Sequence, residues 1–347
     1  VGGSVQVDNF GTRFLGPEQF SGAVVGNNLF GLYGATELRG VVTAQVKELQ
    51  YVSLRESIPI TPEGTVLSVG GSYTWTNPDE VGSLQDTDPD GTSLFVSTTV
   101  THPVIRTRSR NASVFGGFRL QNSDNDLLGT TTSKDRTRVL TLGGSFDFID
   151  RFAGVTLAGV DLAQGLDVLG ARDENDDPPP SRGNADPKFT RIAASLSRQQ
   201  SLGGGFSLLG AVSGQYSFDP LPASEQYGVG GQFFGRGYGP YEIAGDQAFA
   251  GKIQLQYGAP WRSTTLSNVI ESWQAYGFFD GGVVWQKKDP DSNRDSLTSA
   301  GIGLDLNLAY DVSSTVYVAQ PISRDPTTLR NSDDRYPRVF FRLTKRF

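Results

Sequence analysis

The sequence predicts an all-β chain, a transmembrane antiparallel β-barrel of about 16 strands. Three observations predict it. Short segments alternate apolar and polar residues, the connections between them alternate between long and short, and the chain closes on an aromatic-rich strand. The composition agrees, since 43 Gly, 21 Phe and 12 Tyr among 347 residues favour many strands joined by tight turns.

The alternation is plainest in "GIGLDLNLAY", where Ile302, Leu304, Leu306, Leu308 and Tyr310 share one face and Gly303, Asp305, Asn307 and Ala309 the other. "LTLGGSFDF" sets Leu140, Leu142, Phe146 and Phe148 against Thr141, Ser145 and Asp147. "KIQLQY", "SVGGSYTWT" and "SLLGAVSGQYSF" repeat the pattern, which is the signature of strands with one apolar and one polar face. Alternation alone fits a soluble antiparallel sandwich equally well. The barrel is favoured by polar faces of small Asp, Gln, Ser and Gly, which suit a water-filled lumen, and by apolar faces that end in Tyr, Trp or Phe, as at a membrane interface.

The connections give the second argument. Long acidic connections are read at 77–91, 121–136, 165–187, 219–247, 287–298 and 323–336, with short ones such as "RTRSRN", "DRFA", "SLGGG" and "DVSS" between them. A barrel with outer loops and periplasmic turns alternates in this way. "GAPWRSTTLSNVIE" fits worst, as a longer inner connection than the pattern predicts. The third argument is the end of the chain, "RVFFRLTKRF", where Val339, Phe341, Leu343 and Phe347 share one face. Lys345 interrupts that face with a stem long enough to snorkel. Residues 1–347 are thus read as one barrel with both ends on the periplasmic side.

Several functions are excluded. Thirty Lys and Arg against 37 Asp and Glu give a formal charge of −7, and no basic run exceeds "RTRSR", so the electrostatic footprint of a nucleic-acid binder is missing. With no Cys there is no disulfide framework or thiolate metal site. No apolar stretch is long enough for a membrane helix, and "VGGSVQVDNF" has neither the basic start nor the apolar core of a signal peptide. "DTDPDG" opens like a calcium loop but lacks the terminal glutamate, so neither metal nor cofactor is expected. The only histidine, His102 in "TVTHPVI", has no serine placed beside it as a nucleophile, and a lone strand histidine is more often a packed or interfacial residue. No enzyme is predicted.

One loop stands out. "GGQFFGRGYGPYEIAGDQ", residues 230–247, sets Arg236 among glycines and aromatics in the longest outer connection. A loop of this length is functional or disordered, and its aromatics argue against disorder. Folded back into the lumen, Arg236 needs a carboxylate, and Asp280 in "GFFDGGVV" is the natural candidate for a bidentate fork. Asp-Gly between apolar runs is also a strong hairpin signal, so from the residues alone Asp280 sits either in a strand or in a type I′ turn.

Taken together, these stretches resemble the outer-membrane transporters of two-partner (type V) secretion, the TpsB or hemolysin-activator group, relatives of the barrel assembly factor. "VQVDNFGTRFLGPEQ" resembles the family's first strand and loop, "LPASEQYGVGGQFFGRGYGPYEIAGD" its sixth outer loop, and "FFDGG" its strand motif at Phe278, Asp280 and Gly282. The resemblance implies an inward-folded sixth outer loop in which Arg236 pairs with Asp280. Gly235, Gly237, Tyr238, Gly245 and Asp246 would complete the gating motif, and Phe341, Leu343 and Phe347 the C-terminal signal read by the barrel assembly machinery. It implies a secreted partner protein of adhesin or hemolysin type as client, and contact with outer-membrane lipid. Gly235 stands where the family has Val or Ile, which removes one apolar anchor, and the family's periplasmic polypeptide-binding domains are expected to be absent from this chain. The competing readings are a barrel-insertion factor and a passive porin, in which Arg236, Asp280, Asp305 and Asp147 would line a constriction.

Overall fold

The computed structural model describes residues 1–78, 88–260, 269–287, 294–323 and 336–347. The strands, in chain order, are β1 (Gly2–Asp8), β2 (Gln19–Asn27), β3 (Ala35–Thr43), β4 (Leu49–Pro59), β5 (Val66–Thr76), β6 (Pro89–Arg106), β7 (Arg110–Leu127), β8 (Thr130–Ile149) and β9 (Gly154–Gly165). They continue with β10 (Thr190–Gly203), β11 (Phe206–Ser217), β12 (Tyr227–Val229), β13 (Ile243–Gly245), β14 (Gln247–Pro260), β15 (Ile270–Trp285), β16 (Arg294–Leu308), β17 (Val312–Pro321) and β18 (Arg338–Arg346). All except β12 and β13 form a closed barrel of sixteen antiparallel strands, which β1 and β18 seal with Ser4 opposite Arg346 and Asp8 opposite Arg342. Phe347 adds a backbone hydrogen bond to the Gly3 carbonyl at 2.9 Å.

The period of two carries the barrel. Leu142, Leu162, Ile253, Ile302 and Val339 point outward and are about half exposed to what surrounds the barrel. Their chain neighbours Thr141, Asp161, Gln254, Gly303 and Phe340 point inward, and a tilted barrel of this strand number leaves an aqueous interior. Outward aromatics pair near both rims. Tyr73 and Trp75 stand at the outer end, their ring centroids 4.3 Å apart, and Tyr257 packs on Phe206 at 4.6 Å and on Trp273 at 5.6 Å at the other. Such girdles match the two interfaces of a bilayer.

Three connections differ from the sequence reading: 77–91 and 287–298 are shorter at their far ends, where β6 already starts at Pro89 and β16 at Arg294, and the third is strand throughout but for its turn. Residues 121–136 are not a loop, because β7 and β8 run through them, 18 and 20 residues long, and turn on Leu128 and Gly129 alone. Both turn residues have positive φ, +50° and +71°, as a two-residue hairpin turn requires. The run is polar because it stands beyond the membrane, not because pairing stops. Ser93 and Ser123 share a 2.8 Å hydrogen bond across it, and Arg136 pairs with Asp124 at 2.6 Å.

The connections at 165–187 and 219–247 are loops as read, between β9 and β10 and between β11 and β14. Of the remaining readings, 79–87 in the first long connection, 261–268 in "GAPWRSTTLSNVIE", 288–293 and 324–335 lie outside the described residues. Asp86 and Thr87 of "DTDPDG" fall there too.

Candidate functional site: the sixth outer loop against the lumen wall

The sixth connection at the outer end, residues 218–246, begins with a 3-10 turn at Ala223–Glu225 and then forms a two-stranded ribbon in which β12 pairs with β13. Val229, Tyr238 and Ile243 of this loop pack with Ala248, Ala250, Val284 and Leu297 of β14, β15 and β16 into one buried cluster. The ribbon therefore lies against inward-facing wall residues, and its tip carries Arg236.

Asp280 sits in the middle of β15, not in a turn. Gly281 and Gly282 keep the strand going because a side chain has no room there: a Cβ on Gly281 would lie 2.3 Å from the Leu297 carbonyl oxygen, and one on Gly282 3.0 Å from Val229 of the loop. The Asp280 carboxylate is fully buried and takes four hydrogen bonds. Oδ1 accepts from the Gly235 and Arg236 amides at 2.9 and 3.1 Å and from Ser299 Oγ at 2.5 Å, while Oδ2 accepts from Arg236 Nε at 2.5 Å. The expected bidentate fork is thus not what forms. Two loop amides occupy the first oxygen, the guanidinium reaches only the second, and its Nη1 donates to Gln254 Oε1 at 2.8 Å. Arg236 Cζ lies 3.4 Å from the Phe278 ring centroid, a close cation–π stack. Phe278 in turn lies over Gly301 on β16, where a Cβ would come within 2.5 Å of its ring.

The glycines of the motif have distinct tasks. Gly235 has φ +84°, and a Cβ there would lie 2.3 Å from Leu297 Cδ1, so Leu297 of the wall fills the space that an apolar side chain at 235 would take. The missing anchor is replaced from the other side. Gly237 lets the loop backbone touch the wall, since its Cβ would stand 3.0 Å from Pro321 N and Ser299 Cβ. Tyr238 is 1% exposed and its hydroxyl shares a 2.9 Å hydrogen bond with Ser323 Oγ; burial pushes that hydroxyl up from the ordinary tyrosine pKa.

Two further carboxylates fix the loop's ends. Asp246, next to Gly245, is fully buried and takes Arg182 through both terminal nitrogens at 2.6 and 2.7 Å, with the Leu221 and Lys287 amides at 2.9 and 2.7 Å. It joins the fifth, sixth and seventh outer connections at one point. Glu225, also buried, accepts from Arg119 Nη2 of β7 at 2.5 Å and from Arg191 Nε of β10 at 3.2 Å. Gln232 beyond β12 accepts from Arg342 of β18, and Arg342 lies over Phe10, which stacks on Tyr317 and Phe340. The loop therefore touches wall strands from β7 around to β18.

The structure brings together Gly235, Arg236, Gly237, Tyr238, Phe278, Asp280 and Gly282, while Gly245 and Asp246 form a separate fastening. Of the other residues of the constriction reading, Asp305 accepts from Thr315 and lies within electrostatic reach of Arg236, while Asp147 accepts from Asn111. Phe341, Leu343 and Phe347 face outward at 37%, 43% and 72% exposure. Sequence reasoning missed Ser299, Gln254, Arg182 and the pairing of Glu225. Ser299 lies opposite Asp280 in the β15–β16 register, a relation only pairing reveals.

Comparison with known proteins agrees with the barrel fold. Outer membrane transporter CdiB of Dickeya dadantii (strain 3937) is 23% identical over 324 residues, 92% of this chain and 56% of that protein. The structure of CdiB from Escherichia coli superposes with a TM-score of 0.84 at 20% identity, over 100% of this chain and 62% of that one. BamA from Haemophilus ducreyi gives 0.69 at 14% identity, over 100% of this chain and 70% of that one. The chain spans less than two thirds of the length of the CdiB proteins of Dickeya and Escherichia. The barrel and its outer-membrane relatives put the chain in the bacterial outer membrane. The family model described as haemolysin secretion/activation protein ShlB/FhaC/HecB matches residues 1–306, and the chain belongs to that family.

Proposed function

We propose that this chain forms an outer-membrane pore through which an unfolded partner protein, of adhesin or hemolysin type, is secreted, and that the sixth outer loop gates it. The observation that carries the reading is the fastening of Arg236 to Asp280 at 2.5 Å, with two loop amides on the same carboxylate. A loop held this way occupies the lumen, and a polypeptide passes only once it shifts. The motif from Gly235 to Tyr238 with Gly245 and Asp246 is the moving part, and Phe278, Asp280 and Gly282 are its seat. Transport of this kind needs no catalytic step, because folding of the client outside supplies the direction. Outward-facing Phe341, Leu343 and Phe347 serve as the insertion signal for the barrel assembly machinery and meet outer-membrane lipid.

The test is single-channel conductance in planar bilayers of the wild type, of Arg236→Ala, and of a protein lacking residues 230–246. The deletion is expected to give a larger and steadier pore, and the point change to destabilise the closed level. Conductance unaltered by either change would sink the gating reading and leave a passive solute channel as the account.

A further inference from the structure

On the wall away from Asp280, the loop's Glu225 occupies a place built for a carboxylate. Its side chain is 4% exposed, and the two arginines that hold it come from different strands, Arg119 from β7 and Arg191 from β10, with β8 and β9 between them. Asp161 of β9 steadies Arg191 at 3.1 Å. Beside these groups is a wall cavity of about 370 Å³, lined by Arg119, Arg191 and Asp161 together with Arg55, Phe95 and Phe115. Arg55, on β4, has no ion-pair partner among the described residues. With Glu225 in place the cluster holds three arginines against two carboxylates; with Glu225 withdrawn it holds three against one.

Resting on the gating reading above, the geometry points to a second role for this cluster: a lumenal binding site for carboxylate side chains of a passing polypeptide, which Glu225 occupies while the loop is in. Electrostatics favour such a site. Stripping the bridging carboxylate from two largely buried arginines is unfavourable, whereas exchanging one carboxylate for another keeps the hydrogen bonds and the charge balance. An acidic segment entering the lumen therefore relieves the loop of Glu225 and takes its place. Arg55 extends the site along the wall toward β4, and Phe95 and Phe115 give the segment's aliphatic stems an apolar surface. The ligand class is an extended acidic peptide.

The experiment is fluorescence anisotropy of labelled hexaglutamate, with hexaglutamine and hexalysine as controls, on the detergent-solubilised barrel. Wild type is compared with Glu225→Gln, and with Glu225→Gln carrying Arg191→Ala, Arg119→Ala or Arg55→Ala; closed-barrel folding is checked by heat-modifiable migration. Arg55 forms no ion pair among the described residues, so its removal spares the barrel if the other two changes do not. Glu225→Gln is expected to bind hexaglutamate more tightly than wild type does, and to prefer it over both controls. Each arginine removed weakens that binding, by about tenfold where a charged hydrogen bond is lost. Equal binding of hexaglutamate and hexaglutamine, no gain from Glu225→Gln, or hexaglutamate binding that survives every arginine change would overturn the site. The peptide readout fails with this site alone, while the conductance readout above fails with the gating reading, so the two are told apart.

Discussion

Asp280 and Arg236 face each other, yet their removal is predicted to be unequal. Asp280→Ala leaves the Arg236 guanidinium, 6% exposed, without its paired carboxylate, and leaves the Gly235 and Arg236 amides and Ser299 Oγ without their acceptor. Removing one partner of a buried pair costs about 3–5 kcal/mol, or roughly a hundredfold to a few thousandfold in the closed-to-open ratio at about 1.4 kcal/mol per tenfold. Lumenal water sets the lower end as the expectation. Arg236→Ala removes the Oδ2 bond, the Nη1 bond to Gln254 and the stack on Phe278, while Oδ1 keeps both amides and Ser299. At Asp280 the loss is then that of one charged hydrogen bond, about 1.5–3 kcal/mol. The double change removes the stranded charge and is expected to open the pore less than Asp280→Ala alone. Open probability in planar bilayers for wild type, both single variants and the double gives the coupling energy directly. Two additive single effects, or a more severe effect from Arg236→Ala than from Asp280→Ala, would refute the reasoning that Asp280 is the hub.

Further outcomes are expected. Gly235→Val forces a β-branched residue to φ +84° with its Cβ within 2.3 Å of Leu297, so the closed level loses occupancy, and adding Leu297→Ala restores part of it by relieving the clash but not the backbone strain. Asp246→Ala leaves Arg182 without its carboxylate and loosens three outer connections at once; limited proteolysis is expected to cut residues 166–189 sooner than in wild type while the barrel strands stay protected. The buried Tyr238 hydroxyl has a raised pKa, so its neutral form holds the loop at every pH below the ordinary tyrosine value of 10.0. Above that value the unfolded or displaced loop gives up the proton first, and closed-level occupancy falls as pH rises further, an effect that Tyr238→Phe abolishes.

Much of the architecture was written in the period of the sequence. "GIGLDLNLAY" became the end of β16 with its Leu residues outward, because a side-chain period of two leaves no other way to keep four apolar residues on one face. Residues 121–136 were misread for an equally physical reason: beyond the membrane neither face needs to be apolar, so a paired strand and a loop look alike. In the site, Arg236 was legible because a charge among glycines and aromatics calls for a partner, but the residues alone left Asp280 in either a strand or a turn, and the family resemblance was needed to pair the two. The orientation of the pair was not legible, since the two amides that displaced the fork belong to a backbone conformation. Gly235 showed the limit most clearly. Its missing side chain read as a defect until Leu297, some sixty residues away, was seen to fill the space.

The long β7–β8 hairpin has a practical consequence. Its two strands stay paired from Arg110 opposite Phe148 to Leu127 opposite Thr130, and the tip at Leu128 is 70% exposed. Whatever approaches the cell from outside therefore meets a stiff paddle here in place of a slack loop, standing apart from the contacts that hold Arg236. An epitope tag spliced between Leu128 and Gly129 would be displayed to antibody on intact cells, giving a reporter of surface arrival that leaves the gate's own fastenings untouched.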